Sequence, residues 1–179
     1  MGYWIGGIVA AVVVVLFLWG WISQRRLYGP HGHKRRPDIY VLAMHGKVKK
    51  HLSKVGFEGL SEAEKVCWST VWLWRIVQLG GFENYYSEPY GDYAVEAAMG
   101  FEAIGARGYA DIVRRANKLF ENGRPGRIKE LRVEQLRDMG EDGPAELVVL
   151  DEEFRGCKDD LDALLAPYIA LHREEFLRK

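Results

Sequence analysis

SEAEKVCWSTVWLWRIVQLGG, residues 61–81, decides how the rest of this chain is read. Ser61-Glu62-Ala63-Glu64 is a capping-box pattern, in which the serine hydroxyl covers an orphan backbone N–H and Glu64 reaches back to the serine's own N–H. Behind the cap, Ala63, Val66, Cys67, Val71, Trp74 and Val77 recur at helical spacing, with a second stripe at Trp68, Trp72, Ile76 and Leu79. Two apolar stripes describe a helix covered on most sides, so other helices must pack around it. Gly80-Gly81 is expected to stop it.

Working outward, the same period returns. Ala94, Ala97, Ala98, Phe101 and Ile104 mark a second helix ended by Gly105, and Ile112, Val113, Ala116, Leu119 and Phe120 a third ended near Asn122-Gly123. A fourth, less regular, runs through Ile128, Leu131, Leu136 and Met139. Pro144 suits the first turn of a fifth through Leu147, Leu150 and Phe154. Asp159 or Asp160 can cap a sixth through Leu161, Leu164, Leu165, Tyr168, Leu171 and Phe176, with Pro167 expected to kink or split it. The best strand candidate, residues 146–150, is short. The reading is an all-α body of about six helices over residues 57–179.

The whole chain has 179 residues, with 25 basic and 25 acidic side chains. That balance hides three unlike segments. Residues 3–22 contain no charge, and twenty helical residues span ~30 Å, the thickness of a bilayer's hydrocarbon core. Trp4, Trp19 and Trp21 sit where amphipathic rings favour an interface. The segment reads as a single transmembrane helix; a basic start and a small-residue cleavage site, the marks of a cleaved leader, are not evident. Residues 23–56 form a basic collar with nine lysines and arginines against Asp38 alone. Its first five, Arg25, Arg26, Lys34, Arg35 and Arg36, are expected to contact anionic lipid. By the same bias the body is expected in the cytoplasm, at the inner membrane. The collar's later part can form a helix through Ile39, Val41, Leu42, Val48, Leu52 and Val55, and residues 28–33 read as a hinge. Residues 57–179 reverse the sign, with 16 basic and 24 acidic groups.

Chemistry is sparse. No Gly-rich phosphate loop, zinc-protease helix, nucleophile elbow or kinase set is found, and no cofactor or metal site is indicated. His31 and His33 read as linker. Cys67 lies on a buried stripe. Cys157, between Arg155 and Lys158 in its neighbourhood, is expected to have a lowered pKa. His172 is expected to face solvent or cap a helix end.

One segment is more specific: Gln78, Gly80, Gly81, Phe82, Glu83, Asn84, Tyr85 and Tyr86, then Gly91-Asp92-Tyr93-Ala94, then Ile104-Gly105-Ala106. It resembles the C-terminal domain of the bacterial DNA-mimic protein family, with Ala116, Phe120, Pro125 and the Leu150/Asp151/Phe154 string as further matching elements, over roughly residues 60–178. Leu79 departs from the pattern, which usually has a polar residue there. The resemblance implies an all-α, non-enzymatic domain, with homodimerisation left open, whose founding relative occupies a DNA-binding protein by presenting carboxylates in place of phosphates.

Mimicry needs a dense, one-signed face. The candidate acidic face is Glu141, Asp142, Glu146, Asp151, Glu152, Glu153, Asp159, Asp160 and Asp162. Ordinary helix-start acids and solvated loops are the competing reading, and the two stay open here. The Gly-Gly-Phe segment likewise reads either as backbone turn with aromatics packed onto the helix or as a partner surface. Functionally, the sequence points to a membrane-anchored helical module that binds a cytoplasmic protein, with no direct nucleic-acid binding. The alternatives are an enzyme with an unrecognised site or a small structural subunit of a membrane complex.

Overall fold

The computed structural model describes residues 32–140 and 142–177. The apolar segment 3–22, Arg25, Arg26, His31 and Glu141 fall outside them. Seven helices carry the architecture: α1 Pro37–Val55, α2 Glu62–Ser87, α3 Ala94–Ala103, α4 Arg107–Lys118, α5 Lys129–Asp138, α6 Asp142–Gly156 and α7 Leu161–Leu171. Helical turns at Gly32–Arg35, Pro89–Tyr93, Glu121–Gly123 and Arg173–Phe176 join or end them. Among the described residues there is no strand, and none of their helices is long and apolar enough to cross a membrane. The strand candidate at 146–150 lies within α6.

The capping box forms as read: Glu64 N–H donates to Ser61 Oγ at 3.3 Å, and Ser61 N–H to Glu64 Oε2 at 3.0 Å. From that start α2 runs through the middle of the molecule, with α1, α3, α5 and α6 packed on it. Cys67, Leu73 and Val77 on α2 are fully enclosed, as are Phe101 on α3, Val113 on α4 and Phe154 on α6. Each such large apolar side chain contributes about 1.5–3 kcal/mol on leaving water.

Four expectations bear comparison with the fold. First, Gly80-Gly81 ends the opening stretch of α2 as expected, but a second helical stretch follows directly from it. Gly81 takes φ 80°, ψ 175°, which breaks the hydrogen-bond ladder, and the chain then winds on through Ser87. Second, the helix expected at the far end of the collar belongs to the folded body. α1 buries Tyr40, Val41, Met44, His45 and Val48, packing on α2 and α7, so the packed unit extends back beyond residue 57. Gly32–Arg35, within the expected hinge and basic linker, is itself a helical turn. Third, Ile128 and Leu131 do not dock α5: they are 58% and 43% exposed, and the one buried residue of that helix is Arg132. Fourth, Pro167 does not split the last helix, which continues to Leu171. Pro167 and Ala163 are both exposed, so the carbonyl that loses its helical donor faces water.

Candidate functional site

The break at Gly81 is where α2 meets α6. Asp151 on α6 accepts the Phe82 N–H at 2.7 Å, capping the second stretch of α2 from sixty-nine residues away in sequence. A Cβ on Gly81 would fall on that carboxylate, and φ 80° disfavours any L side chain, so only glycine fits twice over. Burial pushes the Asp151 carboxyl up, while the Phe82 N–H and nearby Arg155 pull it back.

The aromatic members of the Gly-Gly-Phe segment pack inward. Phe82, Tyr85 and Tyr86 are fully buried; Phe82 meets Phe154 edge-on at 5.5 Å, and Tyr86 meets Phe120 at 4.5 Å. Tyr86 Oη donates to Asn117 Oδ1 at 2.8 Å, and Asn117 Nδ2 passes a bond to the Ala94 carbonyl at 3.1 Å. Ile104 is buried beside Gly105, whose φ of 81° turns the chain so that Ala106 N–H reaches the Phe101 carbonyl at 2.8 Å. Gln78 is half-buried. What the segment offers to solvent is Leu79, Gly80, Glu83 and Asn84, with Leu79 at 89% exposure, a site that suits a polar side chain.

The acidic residues of 142–162 divide by employment. Asp151 is the cap just described. Glu153 pairs with Arg115 at 2.5 and 2.8 Å, Asp159 accepts the Gly108 N–H at 2.9 Å, and Asp160 caps α7 through the Ala163 N–H at 3.0 Å. Asp162 is half-buried in a shallow cleft with Asp38, Arg75 and Trp74; burial first, then Asp160 and Asp38, pushes its carboxyl up. Asp142, Glu146 and Glu152 remain exposed. On α6, Asp142, Glu146, Val149 and Glu153 recur at one helical face, flanked by Val148 and Glu152, so a single outward stripe mixes carboxylates with two exposed valines.

Sequence reasoning missed two features. Arg132 is fully buried and donates to three carbonyls: Nε to Tyr86 at 2.9 Å, Nη1 to Gly126 at 2.8 Å and Nη2 to Glu88 at 2.8 Å. Nη1 also pairs with Asp92 Oδ1 at 2.6 Å. One guanidinium thus ties the end of α2 and the Pro89–Tyr93 turn to α5. The available signal was that Arg132 falls on the Ile128/Leu136 line of α5, the register expected to be apolar. The other feature joins α1 to α2: the His45 ring stacks on Trp68 at 5.1 Å and meets Trp72 edge-on, and Trp72 stacks on Tyr90 at 4.1 Å. Burial first, then Arg75 and Lys49, lowers the His45 pKa to about 4.

Neither thiol is activated. Burial pushes Cys67 far up. Cys157 is raised as well, by burial and by the Asp159 carboxylate, which overturns the lowering expected from Arg155 and Lys158: Asp159 is the charge that the fold brings near the sulfur. His172 sits just past α7, its Nδ1 3.0 Å from Glu175. Among the described residues, no three His, Cys, Asp or Glu side chains gather as metal ligands. Of the collar residues that are described, Lys34 is exposed and Arg36 pairs with Asp38 at 3.0 Å.

The family described as DMP19-like protein matches residues 58–172, a span that starts at the loop before the Ser61 cap and ends just past α7. The chain belongs to this family. No curated protein and no solved structure is a significant match. The DMP19-like region holds the Gly81–Asp151 junction, the Arg132 clamp and the whole α6 stripe; α1 precedes it and completes the packing. The family points to a helical protein-interaction or DNA-mimic module.

Proposed function

We propose that this DMP19-like protein is a membrane-tethered interaction module that docks a protein through the outer stripe of α6. The exposed Asp142, Glu146 and Glu152, with Val148 and Val149 between them, carry this reading. Carboxylates around an apolar strip suit a partner whose surface is basic with an apolar centre. A DNA-binding protein has such a surface.

Magnitude limits how far mimicry extends. From Asp142 to Glu153, α6 rises ~16 Å, over which a duplex presents about ten charges at one per ~1.7 Å. The α6 stripe offers Asp142, Glu146, Glu152 and Glu153, the last already paired with Arg115. We therefore read it as a short acidic docking stripe rather than a full duplex replica.

The tether is the uncharged segment 3–22, with Arg25, Arg26, Lys34, Arg35 and Arg36 at the anionic leaflet and the body on the cytoplasmic side. Tethering raises the local concentration of the stripe for partners near the membrane. The test compares proteins crosslinked in cells to the native chain and to an Asp142→Lys/Glu146→Lys/Glu152→Lys chain. Loss of a basic partner with unchanged helical circular dichroism is expected; an unchanged crosslinking pattern refutes the stripe. A reporter fused at residue 179 that is active only outside the cytoplasm refutes the orientation.

A further inference from the structure

The side of α1 turned away from the core carries Leu42, Gly46, Lys49, Lys50 and Ser53 at helical spacing, with Lys54 beside them, all exposed. Asp38 is the sole carboxylate on this helix, and it is paired with Arg36. No described carboxylate forms an ion pair with Lys49, Lys50 or Lys54. The Lys49–Lys54 end of α1 is thus one-signed and open, while its opposite side is locked to α2 and α7.

Its place in the fold gives that surface a direction. α1 meets α2 at Trp68, through the His45 stack, whereas α6 meets α2 at Phe82. Those two points are separated by about 20 Å along α2. The lysine face and the acidic stripe therefore lie at different stations, further apart than two Debye lengths at physiological salt, roughly 8 Å each.

We infer that the Lys49/Lys50/Lys54 face of α1 lies flat on an anionic phospholipid surface and so orients the body with α6 turned toward the cytoplasm. The inference rests on the tether proposed above and adds an orientation to it. Residues 23–31, ahead of the Gly32–Arg35 turn, can span at most ~30 Å when extended, so a tether alone leaves the body free to tumble. If α1 stood upright on its N-terminal end, Lys54 would be ~25 Å further from the leaflet, beyond the reach of its potential. Lying flat, all three lysines sit within it. Repulsion of the α6 carboxylates by the same leaflet selects the same pose. Three lysines at an anionic surface shift the docked-to-undocked ratio on the order of a hundredfold.

The test uses the full chain in lipid discs, with Cys157→Ser and a dye on Ser53→Cys, or on Glu152→Cys as the distal control. Buried Cys67 stays unlabelled. A headgroup-borne quencher reports proximity in discs of phosphatidylcholine alone or with phosphatidylserine. Strong quenching at 53 in phosphatidylserine discs is expected. It should be absent at 152, and lost with Lys49→Glu/Lys50→Glu/Lys54→Glu or in high salt. Equal quenching in both lipids, quenching at 152, or none at 53 in a chain that copurifies with discs overturns the orientation while leaving the tether intact. A chain that does not enter discs at all refutes the tether and the orientation together. If duplex DNA binds the native chain but not the triple-glutamate chain, and 53 stays unquenched, the face is a nucleic-acid surface and the lipid assignment fails.

Discussion

Replacing Arg132 by Met keeps most of the side-chain volume and removes every polar contact of the clamp. The carbonyls of Tyr86, Gly126 and Glu88 lose a charged donor, and Asp92 loses its ion-pair partner. Removing one partner of a fully buried pair costs about 3–5 kcal/mol. The Asp92 side chain is 31% exposed, so water can solvate it in part, and the lower end, about 3 kcal/mol, is the better figure. In a chain of this size that lowers Tm by about 10 °C. The control is Arg127→Met. Arg127 is exposed and pairs with Glu58 and Glu96 at the surface, so it should cost under about 1 kcal/mol. Both are read by thermal and urea unfolding followed by circular dichroism at helical wavelengths, with the full chain in mild detergent. Adding Asp92→Asn to Arg132→Met should regain about 1 kcal/mol, because the stranded charge is gone. If Arg132→Met costs no more than Arg127→Met, or Asp92→Asn regains nothing, the clamp does not hold α5 to the end of α2.

Gly81→Ala places a methyl on the Asp151 carboxylate at a positive φ and should cost at least about 2 kcal/mol. Gly105→Ala has the same strain in open space and should cost about 1 kcal/mol; equal urea midpoints for the two would refute the close approach. His45 has a folded pKa of about 4 against 6.5 unfolded, so the unfolded chain takes up the proton first as pH falls. The stability associated with neutral His45 is present above pH 6.5 and is lost between pH 6.5 and 4, about 3 kcal/mol in all. His45→Phe should flatten that part of the urea-midpoint profile, and an unchanged slope would show that other groups set it. Thiol titration of the native chain should label Cys157 more slowly than an unhindered thiol and Cys67 only after denaturation; rapid labelling of both would contradict the packing of α2.

What the sequence determined by itself was local. The Ser61/Glu64 cap, the turn at Gly105 and the apolar positions of α2, α3, α4, α6 and α7 all follow from interactions between residues three or four apart, which a helix imposes on any chain with that spacing. The Gly-Gly-Phe segment was specific enough to suggest the family. Tertiary structure decided whatever depends on contacts across long separations. Arg132 reads as a surface residue until carbonyls some forty-five positions away enclose it, and Asp151 reads as one of a run of acids until Gly81 exposes the Phe82 N–H to it. α1 reads as part of a basic linker because its charge is visible in the sequence, whereas the grooves of α2 and α7 that receive Tyr40, Met44 and Val48 are not. Periodicity records which face of a helix can be buried; which neighbour buries it, and which polar groups that neighbour must satisfy, is fixed only when the helices pack.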